Sequence, residues 1–267
     1  MSELKQSTFV DKSFTEEAPV HACHLFTNIY HRILIVGSSG TGKTYSLRQL
    51  LPMLMTPRNL FLVTKNYDQP VYNEVRQNYS QFGTNSQVIT EVSKIGESIN
   101  KEALRGTKNN IAILDDLSKR ELESEEVISL FTQGRHLRLN VILIMQSYFD
   151  VPQIIRRNLT GLCLFPISSG LDIIFKDVRS YFRDKKEFDK LVAQVILSGN
   201  QHNSLFISYE PGLDPVFRVR KNFKFVRKGL YADTIALLRL RDQASPVLRT
   251  SREAKPTTSS SPKNPKV

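Results

Sequence analysis

Gly37-Ser38-Ser39-Gly40-Thr41-Gly42-Lys43-Thr44 follows the apolar run Ile33-Leu34-Ile35-Val36 and precedes a stretch of helical character, Tyr45 to Leu51. Strand, glycine-rich loop, helix is the order that a phosphate-binding loop requires. Glycines let the backbone curl so that successive N–H groups converge on phosphate oxygens. The new helix adds the positive end of its dipole. All eight residues, Gly37, Ser38, Ser39, Gly40, Thr41, Gly42, Lys43 and Thr44, are therefore candidate ligands of a nucleotide, with ATP and Mg2+ the expected pair. Lys43 is placed to reach the β- and γ-phosphates, and the Thr44 hydroxyl to complete a Mg2+ shell.

Working outward, apolar runs alternate with helical stretches. Asn59–Thr64, Asn110–Leu114, Asn140–Met145 and Gly161–Phe165 read as buried strands, and Gln87–Val92 as a weaker one. Glu121–Gln133 reads as a helix stopping at Gly134, while Tyr67–Phe82 has no clear reading. Two further helices follow, on Leu171, Ile174, Phe175, Val178 and Phe182, and on Phe188, Leu191, Val192, Val195 and Ile196. Ser198–Asn200 reads as a turn, Ser204–Tyr209 and Val216–Val219 as strands, and Tyr231–Leu240 as a last helix. Strands apolar on both faces and alternating with helices imply an α/β fold, a mostly parallel central sheet covered by helices on each side. Residues 1–24 form a polar lead-in, 25–240 one domain, and 241–267 a basic Ser/Pro-rich tail that cannot build a core.

Composition narrows the class. The 267 residues are 40% hydrophobic, enough for a full core, yet no apolar run approaches the ~18 residues needed to cross a bilayer. Met1–Phe9 lacks the apolar centre of a signal peptide, and two cysteines, Cys23 and Cys163, suit a reducing compartment. An intracellular protein without a membrane segment is expected, with Cys163 in the core. His21, Cys23 and His24 have no second ligand group at metal-site spacing. The net charge of +11 is localised: residues 218–228 carry +6 and the tail 241–267 carries +4, leaving about +1 for everything else. A basic C-terminal portion on a nearly neutral body suggests a polyanion contact.

Four further positions carry chemistry. Asp115, at the tip of an apolar strand downstream of the loop, can hold Mg2+ directly or through water. Asp116 beside it can orient the attacking water or accept its proton. Gln146 ends the next strong strand, where an amide can hydrogen-bond the γ-phosphate or the water. Arg135, between those strands, is a candidate cation for charge developing on the transferred phosphoryl group.

This ordered set resembles the FtsK–HerA superfamily of ring-forming DNA-pumping ATPases, and above all its poxvirus-type genome-packaging branch. Ile33–Thr44, Ile111–Leu117, Gly134–Ser147 and Pro152–Asn158 carry the likeness, which covers roughly residues 25–170. It implies a P-loop NTPase of the RecA-like, additional-strand type. It also implies that Arg135 acts on the neighbouring subunit's nucleotide, that Gln146 is a sensor, and that Arg156 or Arg157 meets nucleotide or the subunit interface. The partners implied are double-stranded DNA, further copies in a pentameric or hexameric ring, and a capsid or portal protein. One departure is Asp116, where the superfamily often has Glu.

Arg218-Val219-Arg220-Lys221-Asn222-Phe223-Lys224-Phe225-Val226-Arg227-Lys228 alternates cations with apolar residues. Strand alternation would put the apolar residues on a core and Arg218, Arg220, Lys221, Lys224, Arg227 and Lys228 on an exposed DNA-facing side. The functional expectation is an ATP-hydrolysing DNA translocase that packages viral double-stranded DNA. The rivals are a helicase or secretion ATPase on the same core, and a nucleotide-regulated binding protein with little turnover.

Overall fold

The computed structural model describes residues 30–54, 57–99, 110–197, 201–209 and 218–225. The lead-in, the Ser198–Asn200 turn, the last helix, the tail, Arg227 and Lys228 lie outside them. Nine strands form one sheet: β1 Arg32–Val36, β2 Asn59–Val63, β3 Asn85–Ile89, β4 Asn110–Asp115, β5 Leu139–Met145, β6 Gly161–Leu164, β7 Leu205–Ser208, β8 Val219–Lys221 and β9 Lys224–Phe225. Their order is β3-β2-β4-β5-β1-β6-β7-β8-β9. The first six pair in parallel, and the last three are added antiparallel.

The central strands are buried along their whole length, β4 and β5 at every residue, as parallel strands covered on both faces must be. On one face Ile33, Ile35, Ile111, Ile113, Ile142 and Ile144 pack with Leu47 and Leu50 of α1 (Leu47–Leu50) and with Tyr72 and Val75 of α2 (Pro70–Ser80). On the other side of the chain's core lie Val127, Leu130 and Phe131 of α5 (Glu125–Gln133), which follows the short helices α3 (Ile95–Ser98) and α4 (Lys119–Leu122). Three helices follow: α6 (Gln153–Arg157), α7 (Leu171–Val178) and α8 (Lys185–Val192). The α/β class with its mostly parallel sheet is thus borne out, and Cys163 is a core residue whose burial pushes its thiol up to about 12.

Local differences from the sequence reading have local causes. β3 begins two residues early because it is the sheet's edge: its exposed Asn-Ser-Gln start carries no apolar signal. The single helix expected over Glu121–Gln133 is two, since Ser118 and Ser124 each cap a separate start; Ser118 and Glu121 form a reciprocal capping box. Gly134 ends α5 with an ordinary right-handed φ of −52°. A Cβ there would lie 2.2 Å from the Leu130 carbonyl oxygen, so close approach rather than a left-handed cap requires glycine.

The basic run is the larger correction. It is not one alternating strand, because Asn222 (φ 49°) and Phe223 (φ 61°) make a two-residue turn between β8 and β9. Two successive positive φ values are the signature of a tight hairpin, which the sequence hid by using Phe where Gly is usual. Phe223 tolerates the strain because its ring is buried against Phe206, centroids 5.3 Å apart. As a result Arg220 faces the interior, only 2% exposed, and is no DNA-facing cation. Arg218 is half-buried, stacked 4.8 Å from the Tyr181 ring centroid and donating to the Ser208 carbonyl. Lys221 is half-exposed, and the side chain of Lys224 lies outside the described residues.

The strand starts are tied by asparagines. Asn85, Asn59 and Asn110 are register partners across β3, β2 and β4, and the Asn59 amide donates to Asn110 Oδ1 at 2.8 Å. Asn140 of β5 donates to the Asn110 carbonyl at 3.3 Å and accepts from the His31 N–H at 2.8 Å. Asn140→Ala removes both of these buried hydrogen bonds. The expected cost is about 1–3 kcal/mol, read as a lowered urea midpoint with unchanged slope.

Candidate active site

Strand order sets the site before any side chain is considered. β5 lies between β1 and β4, with Val36 opposite Met145 and Ile144 opposite Asp115. Parallel neighbours end on the same edge about 4.8 Å apart. The residues after β1, at the tip of β4 and after β5 must therefore converge. They do: Lys43, Thr44, Asp115, Asp116 and Gln146 line one open cleft of about 610 Å³.

The phosphate loop is held by both neighbours of β1. Gly37 donates to the Met145 carbonyl and Ser38 to the Pro166 carbonyl. A Cβ on Gly37 would lie 2.4 Å from Phe165 Cβ, so that position admits no side chain. Gly40 and Gly42 take φ of 75° and 91°, the left-handed region glycine enters freely. Lys43 Nζ and Thr41 Oγ1 both donate to the Ser38 carbonyl at 2.8 Å, closing the loop on itself. Burial pulls the Lys43 ammonium below its ordinary value, and Asp115 and Asp116 act in the opposite direction. Helical turns then run from Thr44 to Met53, past the Pro52 expected to end them.

Asp115 is buried and accepts a hydrogen bond from the Tyr72 hydroxyl of α2. Burial pushes its carboxyl above the usual carboxylate range, Asp116 adds to this, and Tyr72 and Lys43 offset part of it. The Tyr72 hydroxyl also interacts with Thr44, so the two residues expected to hold Mg2+ share one neighbour. Their donors are a carboxylate and a hydroxyl, hard oxygens of the kind Mg2+ takes. Among the described residues no group of three or more His, Cys, Asp or Glu gathers to hold a metal. That fits Mg2+, which uses one or two carboxylates and completes its shell with phosphate and water.

Asp116 sits at φ 59°, unusual for a residue with a side chain. Its carboxylate is exposed, and Asn66 donates to its Oδ2 at 3.2 Å. Gln146 is exposed at the end of β5 beside them. Arg135 is elsewhere. It precedes β5, whose seven residues span roughly 23 Å, and so lies at the opposite edge of the sheet from Gln146. Its charge helps to depress the Arg32 guanidinium, after the larger effect of burial. Arg156 is engaged within the chain: it pairs with Asp177, donates to the Val151 carbonyl and stacks on Tyr148. Arg157 is exposed.

Tyr72 and Gln69 were missed in the sequence because the Tyr67–Phe82 stretch is polar, and Asn66 because it follows the apolar run of β2 with no motif around it. A signal was present: Pro70 at a first helical turn, then Tyr72, Val75 and Tyr79 on one helical face. Tyr72→Phe removes the donor to a buried carboxylate while keeping the ring. The expected loss is about 1–3 kcal/mol of stability, measured by urea unfolding at neutral pH without nucleotide.

A family model described as Poxvirus A32 protein matches residues 22–210. The DNA packaging protein OPG160 of monkeypox virus is 30% identical over 145 residues, 51% of this chain and 48% of that protein. Its counterpart in vaccinia virus (strain Copenhagen) is 30% identical over the same length, 53% of that protein. The chain thus spans about half the length of the curated relatives it matches. Among solved structures, the genome packaging NTPase B204 of Sulfolobus turreted icosahedral virus 2 is similar in two forms. The form with ATP-gammaS has a TM-score of 0.50 at 13% identity, and the form with AMP 0.51 at 12%, each over 74% of this chain and 100% of that one. At that identity the likeness speaks for the fold. With the family model spanning more than half of the 267 residues, and the motifs standing where the FtsK–HerA likeness requires them, the chain belongs to the poxvirus A32 protein family.

Proposed function

We propose that the protein is an ATP-hydrolysing motor that moves double-stranded DNA, packaging a viral genome as a ring of identical subunits. One observation carries this reading: Lys43, Thr44, Asp115, Asp116 and Gln146 share a cleft from which Arg135 is a full strand length away. A hydrolase site with its own phosphate loop, acids and sensor but a remote arginine needs a second copy to complete it. Relatives named as DNA packaging proteins support the substrate.

In the cleft Lys43 leaves the Ser38 carbonyl for the β- and γ-phosphates, and the loop N–H groups hold the phosphate oxygens. Thr44 and Asp115 would hold Mg2+, which would supply positive charge against that developing on the phosphates. Asp116 orients water for in-line attack and takes its proton, and Gln146 hydrogen-bonds the γ-phosphate or the water. Arg135 of the next subunit meets the charge that spreads over the transferred group. Of the expected DNA contacts, Lys221 remains in the described residues, and the reading otherwise falls on Lys224, Arg227 and Lys228. A capsid or portal protein would dock the ring, and the same membrane-free, intracellular setting is proposed. No helix among the described residues is long and apolar enough to cross a membrane.

Two experiments test this. Added double-stranded DNA at low salt is expected to raise ATP turnover several-fold, an effect that fades as salt rises; turnover indifferent to DNA refutes the translocase. Arg135→Ala and Lys43→Ala, each expected to lose roughly 10³-fold in activity, should recover part of it when mixed. Assembled mixtures with no recovery refute the arrangement in trans.

A further inference from the structure

Arg156 belongs to the 152–158 run, and its guanidinium is engaged with Asp177 of α7, the Val151 carbonyl and the Tyr148 ring. These contacts join α7 to the loop that leaves β5 with Gln146 at its head. Resting on the reading that Gln146 meets the γ-phosphate or the attacking water, we infer that Asp177 is its positioning residue. The Asp177 carboxylate clamps loop 146–151 through Tyr148 and Arg156, and so sets where the Gln146 amide stands.

The loop serves two sides of the molecule. Gln146, Ser147 and Asp150 line the nucleotide cleft. Tyr148 and Val151, set among and after them, are buried. A functional side chain works only within about 0.5 Å of its productive geometry, which takes neighbours locked by packing and hydrogen bonds. Gln146 itself is exposed at a strand end, so that support has to come from the buried members of its loop.

The clamp is a single carboxylate oxygen with two donors. The Tyr148 hydroxyl donates to Asp177 Oδ2 at 2.8 Å, and Arg156 donates to the same oxygen. Hydrogen bonds to an ionised group are shorter and stronger than neutral ones. Arg156 Nε also donates to the Val151 carbonyl at 3.1 Å, and the guanidinium lies 5.2 Å from the centroid of the Tyr148 ring. Burial, then Asp177, push the Tyr148 hydroxyl above its ordinary value, so it stays protonated and a donor. The other end of α7 holds the loop too. At Gly170, which caps the helix, a Cβ would come within 2.8 Å of the Phe149 ring. Tyr209 nearby supplies a contrast: its buried hydroxyl has no hydrogen-bond partner among the described residues.

Titration calorimetry on the full chain with Mg2+, comparing ADP with β,γ-methylene-ATP, isolates what the γ-phosphate adds. Wild-type protein is expected to favour the triphosphate analogue. Tyr148→Phe keeps the ring and removes the donor; it is expected to lower that preference about five- to tenfold and leave ADP affinity unchanged. Asp177→Ala, on a partly exposed side chain, is expected to do the same and carries the test alone if Tyr148→Phe unfolds. Gln146→Ala is expected to lower the preference as well, and to gain no further loss from Tyr148→Phe, because the hydroxyl acts through the glutamine. Tyr209→Phe, which deletes an unpartnered hydroxyl, is expected to change neither probe. Additive losses in the double variant, equal loss of both probes, or no loss overturn the clamp. So does a Tyr209→Phe effect equal to that of Tyr148→Phe, which would mark a packing effect. An unchanged preference in Gln146→Ala removes the sensor reading itself, and the clamp with it.

Discussion

The site depends on β5 being hydrogen-bonded to β4 on one side and to β1 on the other. That double pairing brings the loop after β1, the glutamine after β5 and the acid at the end of β4 to one edge, in that lateral order. A slip of one residue would turn every inward side chain of β5 outward. With all seven of its residues buried, such a slip is strongly disfavoured. The asparagines at the strand starts act on the same constraint from the far edge. Asn140 bonds to the backbone of both neighbouring strands' starts, at Asn110 and His31, and so fixes register where the site itself has no say.

The same edge concentrates the unfavourable terms. A carboxylate at Asp115 is buried, an ammonium at Lys43 is half-buried, and Asp116 holds a left-handed backbone that costs about 1 kcal/mol or more. In the unliganded chain each finds a partial remedy: Tyr72 for Asp115, the Ser38 carbonyl for Lys43, Asn66 for Asp116. On the proposed reading, phosphate would replace the Ser38 carbonyl at Lys43 and Mg2+ the Tyr72 hydroxyl at Asp115, each a stronger, oppositely charged partner. Binding therefore exchanges one satisfied arrangement for another, within a loop whose ends stay pinned to β5 and β6.

Most of the fold and half of the site were legible in the sequence, and the division has a physical pattern. Central strands such as Asn110–Asp115 and Leu139–Met145 announce themselves because both faces are apolar. The edge strand Asn85–Ile89 and the helix Pro70–Ser80 do not, since one face of each meets solvent. Tyr72 fell in that gap. The loop, Asp115, Asp116 and Gln146 were found because glycine turns and acids at strand tips leave marks in order and type. The Asn203–Asn222 contact left none: the two are brought together by a hairpin whose turn, Asn222-Phe223, lacks the usual glycine. The same unmarked turn sent Arg220 inward, where alternation along a single strand had placed it outside.

The two edges of the sheet also differ in how their charges are met. The C-terminal edge sets Asp115 and Asp116 against Lys43. The N-terminal edge holds Arg32, at the start of β1, close enough to Arg135 for the two cations to disfavour one another. Arg32 donates to the Asn158 carbonyl, a neutral acceptor, and pairs with no carboxylate among the described residues. Like charges held together at a strand end are tolerated where an anion answers them. Within one subunit the nearest phosphate site is a strand length away on the far edge. On the proposed reading the answering anion is the triphosphate of the next copy, so that nucleotide occupancy relieves repulsion at the interface and its hydrolysis restores it. A cycle of that kind couples chemistry to subunit packing through charge alone, without requiring the sheet to change shape.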